Sequence, residues 1–229
     1  MSGLQADPAL AARLGSVLGN RHSRFAVATV SGGNVSVAAA GVPLDADFEI
    51  GSISKGITGL LYTDACERGE ISPGMTLGEL LPLGDCEAAQ VTLASVSRHS
   101  SGLPRLPDAV HPLRRTFALW LRGTPAGGLR ATVEDMGRLT RALLDGSAPG
   151  ISALDPVADF AGPAVRIGAA WITLEAKGRS LTWHNGATGG FNSWIGLDRD
   201  ANTGVVLMSA TSASVDRHGF RLLEELTHP

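Results

Sequence analysis

Strand-forming segments lie towards both ends of this chain, with helix-forming segments between and outside them. Residues 25–30 (FAVATV) and 35–40 (VSVAAA) flank Ser31-Gly32-Gly33-Asn34, two β-rich runs around a Gly-Gly turn, which reads as a hairpin. A second β-rich half follows much later, at residues 164–175, 180–184, 192–197 and 205–209, with a turn from Asp198-Arg199-Asp200 to Gly204 between the last two. Parallel βαβ units would alternate strand and helix along the whole chain, and this order does not. It predicts an α+β fold in which an antiparallel sheet is assembled from both ends of the chain and covered by helices, as a single domain over residues 1–229.

The helices are read from their period. Leu10, Leu14, Val17 and Leu18 mark one over residues 8–18. A short strand at 48–50 stops at Gly51, and from Ser52 a helix places Ile57, Leu60, Leu61 and Cys66 on one side before Gly69 ends it. Thr76 and Thr92 suit the N-caps of two short helices, at 76–81 and 92–99. Pro104, Pro107, Pro112 and Pro125 break the stretch 101–128 into turns around one helical piece, 113–121. Thr132-Val133-Glu134-Asp135 has the form of a capping box, and Met136, Leu139, Leu143 and Leu144 give the helix after it an apolar stripe. A last helix covers 215–226.

Composition removes several classes. With 229 residues, 44% of them hydrophobic and 18% charged, the chain is too apolar for disorder. A net charge of -3 with dispersed arginines gives no general attraction to nucleic acid or an anionic membrane. No apolar stretch approaches the roughly 20 residues needed to span a bilayer, and no basic patch precedes an apolar run at the start, so no signal peptide is read and a cytoplasmic protein is expected. Cys66 and Cys86 lack the spacing of a zinc site, and neither a metal nor a cofactor is expected.

Chemistry concentrates in two places. Ser52-Ile53-Ser54-Lys55 sits where a strand hands over to a helix, and positions i and i+3 share a face, so the Ser52 hydroxyl and the Lys55 amine can meet. A desolvated amine favours its neutral form and can take a proton from serine, while the helix N-terminus offers N–H groups to an oxyanion. Only two of the 19 basic residues are lysines, Lys55 and Lys177. The second place is Trp183-His184-Asn185-Gly186-Ala187-Thr188-Gly189-Gly190-Phe191, a strand end whose glycines bare the backbone to a ligand. A glycine-rich turn with a histidine in a merely structural role fits that segment as well.

The ordered set of residues 48–55 (FEIGSISK), 98–104 (RHSSGLP), 126–135 (AGGLRATVED) and 184–191 (HNGATGGF) resembles the serine β-lactamase and penicillin-binding-protein superfamily, and within it the class C β-lactamase and esterase-like branch. The resemblance implies a three-layer α/β/α sandwich around a central antiparallel sheet. It also implies Ser52 as the acylated nucleophile, Lys55 as its base or proton relay, and Ser52 and Ala187 as oxyanion-hole N–H donors. His184-Asn185-Gly186 matches the family's Lys-Thr-Gly strand motif with His in place of Lys. His184 is thereby a catalytic candidate, and Asn185, Gly186, Ala187 and Thr188 are substrate-binding candidates.

The chain departs from the family between Pro104 and Gly128, where residues 105–127 are a shortened remnant of the usual helical subdomain. The subdomain's Tyr-x-Asn motif is absent: the single tyrosine, Tyr62, lies on the nucleophile's own helix. Proton transfer then rests on Lys55 alone or on help from His184, His99 or a substrate group, and β-lactam hydrolysis is not expected. The expected function is that of an intracellular serine esterase, amidase or acyltransferase that acts through a Ser52 acyl-enzyme on a small ester, thioester or amide, as in secondary-metabolite tailoring. The alternative is a scaffold that has lost hydrolysis and serves as a binding protein or catalyses an isomerisation or cyclisation. The expected partner is a small molecule, with a homodimer covering the exposed cleft near Trp120 and Leu121.

Overall fold

A computed structural model of the protein describes residues 4–103, 128–176 and 178–227, with residues 4 and 5 as backbone only. The expected helix at 113–121, the remnant at 105–127, Trp120, Leu121 and Lys177 lie outside the described residues.

The hairpin forms as its turn predicts. Strands β2 (Phe25–Ser31) and β3 (Asn34–Ala40) pair with Ser31 opposite Asn34, and Gly32 and Gly33 both take positive φ. Strand β1 (Leu4–Ala6), which sequence patterning missed, runs parallel to β3. The late strands are β6 (Ala158–Asp159), β7 (Val165–Ile167), β8 (Ile172–Ala176), β9 (Arg179–Ala187), β10 (Asn192–Asp198) and β11 (Thr203–Ser209). They join the hairpin through β11, which lies antiparallel to β2 with Met208 opposite Ala26. The described sheet runs β1-β3-β2-β11-β10-β9-β8-β7-β6, with every pair except β1–β3 antiparallel. Both ends of the chain thus meet at its centre.

The period of two along each strand divides the core into two layers. Ala26, Ala28 and Val30 of β2 join Ile195, Val206 and Met208 in a cluster that takes in Ile53 and Leu60 of α2 (Ile53–Glu67) and Met136 and Leu143 of α5 (Val133–Leu144). Phe25 and Val27 point the other way, to Leu10, Leu14 and Leu18 of α1 (Pro8–Leu18) and Leu222 and Leu223 of α6 (Asp216–Thr227). Every residue of β10 and β11 is buried, as strands covered on both faces must be. This is the α/β/α arrangement. Among the described residues, two short helices come between α2 and α5, α3 (Leu77–Leu80) and α4 (Leu93–Ser97), with N-caps Thr76 and Thr92. The capping box of α5 closes as its sequence suggests, with Thr132 and Asp135 bonded to each other's backbone N–H.

Two local expectations are corrected, and the strand expected near residue 48 has a partner the sequence did not show. The segment at 48–50 forms β4 (Asp47–Glu49), which pairs with β5 (Arg130–Thr132) in a separate ribbon, outside the main sheet. The run 164–175 is two strands, because Gly168 to Trp171 turn between them and Ala170 takes φ +66°. On α2, Leu61 is 63% exposed, and the buried face joins Ile53 and Leu60 to the small residues Ser54, Gly56 and Gly59. A Cβ on Gly59 would stand 2.0 Å from the Ala169 carbonyl oxygen, so the helix touches the β7–β8 turn backbone to backbone.

Candidate active site

The corner between β4 and α2 sets the nucleophile. Gly51 has φ +53°, a left-handed turn that glycine adopts without strain, and it swings the chain from the β4–β5 ribbon into the helix. Ser52 is the helix N-cap, and its hydroxyl stands 2.8 Å from the Lys55 amine, which donates to it. The i, i+3 spacing therefore does what the sequence suggests. The next three amides are occupied: Ile53 bonds to Ile50, Ser54 to Gly51 and Lys55 to Ser52. Among the described residues the Ser52 N–H takes no backbone acceptor. It is an unspent donor at the positive end of a helix.

The second donor comes from the end of β9. The Thr188 N–H bonds to the Phe191 carbonyl and closes the β9–β10 hairpin. Alternation along an antiparallel strand then turns the Ala187 N–H away from β10. Pairing with β8 has already ended at Trp183, so that side of Ala187 is open. A Cβ on Gly51 would lie 2.7 Å from the Ala187 nitrogen, so the strand end stands directly against the nucleophile's corner. Gly186 makes the approach possible, because a Cβ there would fall 2.0 Å from the Ile50 carbonyl oxygen. Ser193 fastens the junction from β10 by donating to that same carbonyl at 2.8 Å.

The four consecutive β9 candidates go different ways. His184 lies on the α2 side, edge-on to Trp171, whose indole N–H bonds to the Gly56 carbonyl. Its Nδ1 is 2.7 Å from the Asn185 carbonyl and donates to it, which leaves Nε2 unprotonated. Burial pushes its pKa down to about 4, with the Lys55 charge and His99 adding in the same direction, so at neutral pH it is an uncharged acceptor. Asn185 points to the opposite face, where its amide donates to Asp216 at the start of α6. The structure therefore separates the Asn185 side chain from Ser52. Gly186 is buried and serves the close packing just described. Ala187 is exposed at the site, and the Thr188 hydroxyl is shielded with no partner among the described residues.

Sequence reasoning dismissed Tyr62 and did not find Trp171. Tyr62 follows Lys55 by two helical turns, so the two line the same cavity, together with His99 and Ala170. Burial and the neighbouring Cys66 raise the Tyr62 pKa, while Ser97 and Arg98 act in the opposite direction. His99 is exposed at its edge of the cavity, and partial desolvation with the nearby Lys55 charge lowers its pKa as well. The i+7 spacing of Tyr62 from Lys55 was the sequence signal that could have found this neighbourhood.

The sequence model of the Beta-lactamase family matches residues 16–116 and 107–226. The chain belongs to the β-lactamase family. A search of curated proteins finds no match. Among solved structures, this family member is similar to a class C β-lactamase from Rhodobacter sphaeroides, with a TM-score of 0.75 and 17% identity over 95% of this chain and 98% of that one. It is similar to the D-alanine carboxypeptidase AmpC from Burkholderia cenocepacia, at 0.75 and 18% over 93% and 96%. An octameric penicillin-binding protein homologue from Pyrococcus abyssi superposes at 0.71 with 14% identity, over 88% and 73%. At these identities the likeness is one of fold.

Proposed function

We propose that this β-lactamase-family chain is a serine hydrolase or acyltransferase that passes the acyl group of a small ester, thioester or amide through Ser52. The observation that supports this most directly is the Ser52–Lys55 contact of 2.8 Å at a helix N-terminus whose Ser52 N–H has no backbone acceptor among the described residues. With Lys55 neutral, Ser52 Oγ attacks the substrate carbonyl carbon as its proton passes to Lys55 Nζ. The carbonyl oxygen gains the negative charge between the Ser52 and Ala187 N–H groups. Collapse re-forms the carbonyl and breaks the bond to the leaving group, which departs with the proton from Lys55. Water or a second acceptor then takes the acyl group from Ser52 by the same path in reverse. His184, uncharged and on the α2 face of β9, offers Nε2 as a hydrogen-bond acceptor rather than as a base, and no cation stands at that strand position.

Incubation with p-nitrophenyl acetate tests the reading. An acetyl adduct on Ser52 by mass spectrometry, absent in Ser52→Ala, is expected, and Lys55→Ala should slow acylation by about 10²–10⁴-fold. Folded protein that forms no adduct overturns the acyl-enzyme reading. A Ser52-dependent reaction of the natural substrate with no trapped adduct points instead to a rearrangement in which Ser52 relays a proton.

A further inference from the structure

Beside Lys55 lies a cavity of about 290 Å³. One wall is α2, which contributes Lys55, Gly59 and Tyr62, and the other is formed by Ser97, His99 and Ala170. The lining is mostly small or apolar, and among the described residues no carboxylate borders it. We infer that this cavity receives the uncharged, apolar end of the substrate's acyl group, a chain of roughly four to six carbons, an inference that rests on the acyl-enzyme reading above.

Three observations carry it. The cavity lies next to the nucleophile, because Lys55 both lines it and touches Ser52. Its size is about ten waters' worth of liquid, just under the roughly 300 Å³ at which pockets begin to hold whole drug-sized ligands, so it suits one arm of a substrate. Its walls are also held in unfavourable backbone. Of the three described non-glycine residues with positive φ, Asn202 sits in the β10–β11 turn, where Asn is at home, and the other two are His99 (+57°) and Ala170 (+66°). Both border this cavity. Ala170 is fixed there by its N–H bond to the Ser97 carbonyl at 2.8 Å, while the Ala169 carbonyl is wedged against Gly59. Such conformations persist where surrounding structure enforces them, and they gather at ligand sites. Among the described lining residues no acidic side chain is present to pair with an ammonium group, and Lys55 contacts Ser52.

Two measurements test the cavity separately from the chemistry. The first is the acylation rate with p-nitrophenyl acetate, butyrate, hexanoate and decanoate. Each buried methylene is expected to raise kcat/KM roughly fourfold, so butyrate, two methylenes longer, should exceed acetate by about sixteenfold, with the gain ending near hexanoate. Val96→Trp, at the rim, should bring butyrate and hexanoate down towards acetate and leave acetate within about twofold. Tyr62→Ala should move the optimum to longer chains. A rate independent of chain length in the wild type, or one unchanged by Val96→Trp, overturns the cavity assignment while leaving the acyl-enzyme intact. The second measurement is hexanamide binding to Ser52→Ala, followed by amide NMR shifts. Shifts confined to Ser97, His99, Ala170 and their neighbours support the cavity even if no ester acylates Ser52, and their absence at saturating hexanamide overturns it.

Discussion

The two faces of β9 carry different kinds of work. On one face Thr182, His184 and Gly186 are buried, with His184 against Trp171 and Gly186 against Ile50 at the Ser52 corner. On the other, Trp183 packs edge-on to Phe220 of α6, and Asn185 holds Asp216 at that helix's start. Three consecutive residues, His184, Asn185 and Gly186, are thus split: two press on the site and one ties down the back layer. In a strand, adjacency in sequence means opposition in space, so a contiguous motif addresses a site only through alternate side chains and through its backbone.

The division can be broken by experiment. The largest effect expected is with pH. His184 has a folded pKa of about 4 against 6.5 when unfolded, so between these values the unfolded state binds more protons. Its contribution to stability is complete above pH 6.5 and is lost as pH falls towards 4, a change of about 3 kcal/mol at most. Denaturant unfolding at pH 4.5, 5.5 and 7 should show this loss, and His184→Gln should remove most of it. On the back layer, His22 is also lowered by burial but is bonded to Ser209 and packed on His218, and His22→Gln should remove less. A larger effect at His22 would reverse the comparison.

Gly186→Ala comes next. The added methyl meets the Ile50 carbonyl and the Ser193 hydroxyl, which should cost about 2–3 kcal/mol and slow acylation by displacing Gly51. Asn185→Ala is the smallest. It leaves Asp216 without its amide partner at a cost of about 1–2 kcal/mol, with kcat/KM unchanged within twofold. If instead it lowers kcat/KM and leaves the melting temperature alone, the Asn185 side chain serves the site and the proposed division fails.

Much of the frame was legible because its signals are local. The Gly-Gly hairpin, the threonine N-caps and the capping box of α5 each depend on residues within a few positions of one another. The Ser52–Lys55 pair was legible for the same reason. What failed was non-local or depended on missing atoms. The partner of β4 lies some eighty residues away on β5, and no periodicity encodes it. The inner face of α2 was misread because a hydrophobic stripe counts side chains, whereas Gly56 and Gly59 pack by having none. The turn at Ala170 stayed hidden because a tertiary bond to Ser97 holds it.

The β2–β11 seam has a consequence for how the protein is made. β2 is complete once residue 31 leaves the ribosome, but its neighbour at the sheet's centre ends at residue 209. At about 5–20 residues per second, β2 waits roughly 9 to 36 s with one hydrogen-bonding edge bare. During synthesis Phe25 and Val27 are therefore a sticky strand in search of a partner, and the nucleophile's helix has no finished sheet to lean on until the final stretch of chain emerges.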